Sequence, residues 1–299
     1  MATPFSQIVQ YVTTPLVSVE TKIGQEPRPL PLLAWLLAVA LFAPVLDWLV
    51  QIWTTSIYDA HGVLVPFLAM GMIFGARGAL SAAPRETENA GLGLTGAGLA
   101  LLLTALLMNF KLLGGVALVL VIAGMVWTLW GRTVLRLVAF PLAFLLLMLP
   151  LNYPLEIFIG FPLRLVSTKL SAMLLGLLGL NVTVSGTVIT TSNFSVAIES
   201  PCSGLKTLSA LLMTGLVLSY FLHKRWWHRA LIALLILPTA VFANALRNTV
   251  ITMIGHHYGE DAAMGWLHAF SGLAVFLLAM AMLILISETL LWRKKSTST

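Results

Sequence analysis

Residues 91–108, G-L-G-L-T-G-A-G-L-A-L-L-L-T-A-L-L-M, carry no charged side chain, and similar apolar runs recur along most of the chain. About 20 such residues cross the hydrocarbon core as a helix. Lipid offers the backbone no hydrogen-bond partners, so a spanning segment of this kind must bond internally, as a helix does. Charged residues make up only 9% of the chain, against about 25% in an ordinary soluble domain. The predicted fold is therefore an all-α polytopic membrane protein with about eight transmembrane helices. The runs lie at 30–53, 63–80, 91–108, 112–130, 134–149, 204–222, 230–254 and 267–291. They form one transmembrane domain, 30–292, between an N-terminal segment, 1–29, and a basic tail, 293–299. No positive n-region, short apolar stretch and small-residue cleavage site opens the chain, so no cleaved signal peptide is expected.

Two stretches break this pattern. Residues 155–180 are apolar but interrupted by Glu156, Pro162, Arg164, Ser167, Thr168 and Lys169. Residues 181–198, N-V-T-V-S-G-T-V-I-T-T-S-N-F-S-V-A-I, are rich in β-branched residues and read as a small hairpin or extended segment.

Positive charge sets the orientation. With both termini and the loops near Arg85, Arg132 and Arg225 in the cytoplasm, twelve of the 17 Lys and Arg residues lie inside. If 155–180 spanned, every later loop would flip and H-K-R-W-W-H-R at 223–229 would face outward. The stretch is therefore expected to be an interfacial or re-entrant helix on the outer side, with Arg164 and Lys169 at headgroup level. The net charge of +6 belongs to these short loops and suggests contact with lipid headgroups rather than nucleic acid.

The chain's only cysteine, Cys202, sits where a polar segment becomes an apolar helix: I-E-S-P-C-S-G-L-K, residues 198–206. Pro201 and Gly204 punctuate the turn, and Ser200 or Ser203 is placed to cap the helix. A thiol in a helix's first turn meets the positive end of the macrodipole, which favours thiolate. Lys206, four residues on, shares its face. Taken alone, a single cysteine is more often a small buried side chain than a nucleophile. The topology adds what the cysteine lacks. Arg247, in A-N-A-L-R-N-T-V, falls in the outer half of the next helix, and His268, in W-L-H-A-F-S-G, in the first turn of the last.

Three chemically loaded residues on consecutive helices thus reach similar depth on one face. A histidine takes and returns protons, and an arginine donates to an oxyanion. The structural alternatives are an Arg247 held by Asn244 or Asn248 and a His268 at headgroup level. His256 and His257 are rival bases in a polar loop, while Glu199, Glu260 and Asp261 are candidates to orient the histidine without any spacing selecting one. Asn193, Ser195 and their stretch line a groove for an extended peptide or form a packed lid.

C-S-G-L-K at 202–206, N-A-L-R-N at 244–248 and H-A-F-S-G at 268–272 resemble the three motifs of the exosortase/archaeosortase family. The resemblance implies a multi-pass protein of about eight spans in which Cys202, Arg247 and His268 act as in sortases. It implies exported protein substrates with a C-terminal tail of Pro-Glu-Pro-like motif, membrane helix and basic cluster, a lipid or glycan acceptor, and no cofactor or metal. Lys206 or Arg164 is then the expected partner of the motif's acidic residue. Family members often carry Arg at the place of Lys206 and Glu-Ala where Ser200 and Pro201 stand here. Together these expectations describe a cysteine transpeptidase of the cytoplasmic membrane with its site facing outward. The competing readings are a transporter and a non-catalytic assembly factor for polysaccharide export.

Overall fold

The computed structural model describes residues 29–56, 59–150, 158, 160–198, 205–223 and 225–296. Glu199, Cys202 and Ser203, expected above as site residues, therefore lie outside the described residues. The chain divides into two compact units, Met1–Pro150 and Leu151–Thr299.

The first unit contains α1 (Pro29–Thr55), a short 3-10 turn (Ala60–Val63), α2 (Leu64–Gly75), α3 (Arg77–Ala82), α4 (Ala90–Leu107) and α5 (Lys111–Phe144), closed by a 3-10 turn at Leu145–Met148. Helix α4 packs antiparallel on the first half of α5. Thr95 of α4 faces Gly124 of α5, and Gly98 faces Val121. A Cβ at Gly124 would lie 2.5 Å from the backbone nitrogen of Thr95, so only glycine allows this approach. Small residues drive such packing in a bilayer, where apolar burial alone gives helices no reason to associate.

Helix α5 is not one continuous rod. At Gly131 the backbone leaves the helix (φ 87°, ψ 169°), and the chain folds back, because Gly115 lies against Leu149. The returning half joins the outgoing one around Val126, Val134, Val138 and Leu142. Glu88 fastens the reversal. Its carboxylate accepts from Trp127 Nε1 at 2.9 Å and from the Arg132 backbone N–H at 2.8 Å. The Arg132 amide, the Trp127 indole and the nearby arginine charges hold this carboxyl below the usual carboxylate range.

Alanine at Gly131 would have to adopt a φ of 87° with its Cβ 2.7 Å from the Glu86 carbonyl oxygen. Such backbone strain costs about 1–3 kcal/mol. Gly131→Ala is expected to lower the thermal midpoint in detergent, whereas Gly78→Ala, where a Cβ meets nothing within 4 Å, is expected to leave it in place. Equal midpoints for the two variants would contradict this account of the turn.

The second unit contains α6 (Phe161–Leu177), a three-stranded antiparallel sheet, α7 (Leu205–Leu222), α8 (Trp226–Tyr258), α9 (Glu260–Met264) and α10 (Trp266–Ser296). The sheet runs β1 (Thr183–Ser185), β2 (Val188–Thr190), β3 (Ser195–Ala197), with Ile189 opposite Val196 and Gly186 (φ 62°) at the first turn. Its inner side chains Ile189, Val196 and Ile198, with Phe194, pack on Leu175 of α6 and Ile251 of α8. The strand-like expectation for 181–198 thus resolves into a sheet seated on two helices.

The stretch expected to be an interfacial or re-entrant helix contains α6. Helix α6 runs in the same direction as α8, packed along it. Ser167 receives a hydrogen bond from Asn244, Ser171 donates to the Ala245 carbonyl at 3.0 Å, and Leu175 meets Ile251. Its seryl face is buried against α8 while Val166, Met173 and Leu177 are exposed. Arg164 stands a turn before Ser167, beside the middle of α8, with its guanidinium 5.6 Å from the Phe161 ring centroid. The sequence pattern concealed this because a polar stripe reads alike whether it meets water or the polar seam of a neighbouring helix.

Among the described residues, five helices are long and apolar enough to cross a membrane: Trp35–Thr55, Ala90–Leu107, Lys111–Met148, Trp226–Tyr258 and Phe270–Thr289. The difference from the expected eight has physical sources. Ala60–Gly75 and Leu208–Leu222 are apolar but short, and Lys111–Met148 folds double at Gly131.

Where α7 meets α8, His223 is buried to 1% exposure. Its Nε2 lies 2.8 Å from Ser287 Oγ, and its ring centroid is 5.2 Å from that of His228. Burial, with the His228 and Arg229 charges adding, pushes its pKa below the ordinary 6.5. The unfolded chain then binds a proton that the folded one resists. Stability is full above pH about 6.5 and is lost as pH falls from there toward the folded value. The thermal midpoint should drop between pH 7.5 and 5.5, and His223→Gln should flatten that drop. A wild-type slope retained in His223→Gln would assign it to other groups.

Candidate active site

Helices α7, α8 and α10 form an antiparallel trio. Gly215 of α7 faces Ile236 of α8 and Leu283 of α10. Further along, Leu208, Ala243 and Val275 belong to one buried cluster. One turn past Ala243 stands Arg247, and one turn before Val275 stands Ser271. They meet: Arg247 Nε donates to Ser271 Oγ at 2.7 Å. The start of α7, at Leu205, lies a turn from Leu208 at this same end of the trio.

The Arg247–Ser271 bond joins two of the sequence motifs. Ser271 is three residues after His268, whose backbone lies in the first turn of α10, as expected. Lys206 lies in the first turn of α7. Cys202 falls between Ile198, whose N–H donates to the Thr187 carbonyl at 2.9 Å, and the start of α7.

An arginine within a span costs about 2.5–3.5 kcal/mol to insert. A hydrogen bond to a charged group contributes about 1.5–3 kcal/mol. The two are of one size, so the bond to Ser271 makes the position tolerable without making it a stabilising one. With Nε anchored, the plane of the guanidinium is set. Its Nη edge then carries the paired N–H groups that suit an oxyanion.

Other candidates fall elsewhere. Asn244 does not hold Arg247; its Nδ2 donates to Ser167 Oγ at 3.4 Å and ties α8 to α6. Arg164 lies on the other side of the Asn244 level from Arg247, so the structure does not bring these two together. Asn193 reaches the His256 carbonyl at 3.5 Å and Ser195 Oγ lies 3.0 Å from Thr190 Oγ1. Both are engaged in holding the sheet and its seat. His257, Glu260 and Asp261 are exposed.

Sequence reasoning missed Ser271, although it stood inside H-A-F-S-G one helical turn from His268. It weighed Asn248 only as a residue to hold Arg247; in the structure Asn248 is 5% exposed, and its Nδ2 has no hydrogen-bond partner among the described residues. A buried donor left unmade costs about 1–3 kcal/mol, and native proteins keep few of them.

No curated protein and no solved structure matches this chain. The family profile described as transmembrane exosortase matches residues 53–285. That range takes in most of the chain, including the Arg247–Ser271 bond and all three motifs, and the chain belongs to the transmembrane exosortase family.

Proposed function

We propose that this chain is a membrane-embedded cysteine transpeptidase that removes the C-terminal sorting tail of exported proteins. Cys202 Sγ, as thiolate, attacks the scissile carbonyl carbon. Arg247 stabilises the oxyanion. The C–N bond breaks, and His268 protonates the departing amine, leaving the exported protein as a thioester on Cys202. An acceptor amine or hydroxyl then loses its proton to His268, takes the acyl group and restores the thiolate; water in that place gives hydrolysis.

The observation that carries this reading is the 2.7 Å bond from Arg247 to Ser271. It brings the arginine to within one helical turn of His268's position, at the end of the trio where α7 begins. The substrate class rests on the family: a tail with a Pro-Glu-Pro-type motif, a membrane helix and a basic cluster, passed to a lipid or glycan. Lys206, in the first turn of α7, suits the acidic residue of the motif better than Arg164 does, given where α6 lies.

We also read eight crossings. The reversal at Gly131 supports two within Lys111–Met148, and the short apolar helices Ala60–Gly75 and Leu208–Leu222 supply two more. Both termini are then cytoplasmic, and the site faces outward from the cytoplasmic membrane.

The test is co-expression with a tagged exported protein bearing such a tail. The tagged protein should be shortened when the chain is present and remain full-length when it is absent. A reporter left intact in both cases would sink the transpeptidase reading.

A further inference from the structure

Among the described residues, the polar seam along α8 contains a buried amide donor without a hydrogen-bond partner, at the residue next to the arginine. Asn244, Asn248 and Thr252 follow one another at four-residue spacing, the ridge that i and i+4 residues make on a helix. All three are buried, at 3%, 5% and 0% exposure. Asn244 is satisfied by Ser167. The Thr252 hydroxyl turns back to the Asn248 carbonyl at 2.8 Å, and the Thr249 hydroxyl to the Ala245 carbonyl at 2.8 Å. On α6, the Ser171 hydroxyl donates to the Ser167 and Ala245 carbonyls. Every neighbouring hydroxyl is thus committed to helix backbone. Among the described residues Asn248 Nδ2 finds no partner, and on the same ridge His256 Nδ1, two turns on, finds none either.

An amide nitrogen only donates, so whatever completes it must present an acceptor. We infer that Asn248 is a substrate-contacting residue of the proposed reaction, donating from Nδ2 to the carbonyl oxygen that becomes the oxyanion, beside Arg247. This inference rests on the transpeptidase reading. Its physical logic is independent of Arg247's charge. A neutral donor fixed in a desolvated seam pays no reorganisation when charge develops on the oxygen in front of it, so it acts on the transition state more than on bound substrate. The competing occupant is a buried water that bridges Asn248 to the backbone and serves only the fold.

Substitution by leucine separates the two. The side chains are of similar size, and leucine removes the unsatisfied donor. The experiment compares wild type, Cys202→Ala and Asn248→Leu, purified in detergent with a tail peptide as substrate, reading kcat, KM and the thermal midpoint. For Asn248→Leu we expect kcat lower by about 100-fold or more, KM little changed, and a thermal midpoint equal to or above that of wild type. A wild-type kcat would overturn the inference. So would a raised KM at unchanged kcat, which would make the amide a ground-state contact. A fall in midpoint together with kcat would assign Asn248 to a structural water and overturn it too. If wild type cleaves and Cys202→Ala does not, the transpeptidase reading stands whatever Asn248→Leu does. If wild type does not cleave, the reading and the inference fall together.

Discussion

Cys202→Ala is expected to lower tail cleavage by about 10⁴-fold or more, the scale on which losing a covalent nucleophile acts. The thioester route splits one hard substitution into two easier ones, and no other group in the chain can replace the sulfur. Cysteine suits a nucleophile's role because part of a thiol population is thiolate near neutral pH. Cys202→Ser is expected to be nearly as inactive. A serine hydroxyl ionises far above neutral pH, and a histidine that serves a thiol is not thereby placed to strip it. Because Cys202 is the only cysteine among the 299 residues, a thiol-alkylating reagent gives the same test on unaltered protein. Alkylation should abolish cleavage, and bound substrate should slow alkylation. A serine variant that cleaves at the wild-type rate would contradict the nucleophile.

Arg247→Lys should lower kcat by about 10²–10³, the loss seen when one oxyanion donor is removed. Lysine keeps the charge, so a merely electrostatic role would leave most of the activity. It cannot, however, reproduce the planar guanidinium fork whose Nε holds Ser271. Ser271→Ala should be milder, within about tenfold, since a single hydrogen bond contributes about 0.5–1.5 kcal/mol. The guanidinium remains in that variant and loses only its anchor. An Arg247→Lys enzyme with wild-type kcat would remove arginine from the oxyanion role and leave it as a structural tie between α8 and α10.

Much of this arrangement is written in local pattern. Uncharged runs mark where the chain enters lipid, because a bilayer penalises each charge separately and the penalty is read residue by residue. The β-branched stretch before Cys202 announces a sheet for the same local reason, and His268 falls in a first helical turn because the apolar run of the last helix begins just before it. What stayed hidden is tertiary. Ser167, Thr168 and Ser171 interrupt an apolar stretch, and the interruption alone cannot say whether water or α8 lies opposite. Asn244 stands in the same motif as Arg247, three residues away and close in angle on the helix, and so invites pairing with it, yet each side chain finds a partner on a different helix. One reaches α6 and the other α10. The reversal at Gly131 was placed close to its true position by the charges of Arg132 and Arg136. Its mechanism, a positive φ clasped by the Glu88 carboxylate, needed a loop more than forty residues away in sequence from Arg132.

The central claim is that an exported protein passes through a thioester on Cys202. The direct measurement is to incubate wild-type protein with a tailed substrate, quench in acid and identify by mass spectrometry what the Cys202-containing peptide carries. The account predicts the substrate fragment, shortened by its tail, attached at Cys202 and released by hydroxylamine. Tail removal that proceeds with Cys202 unmodified, and that continues in Cys202→Ala, would contradict it.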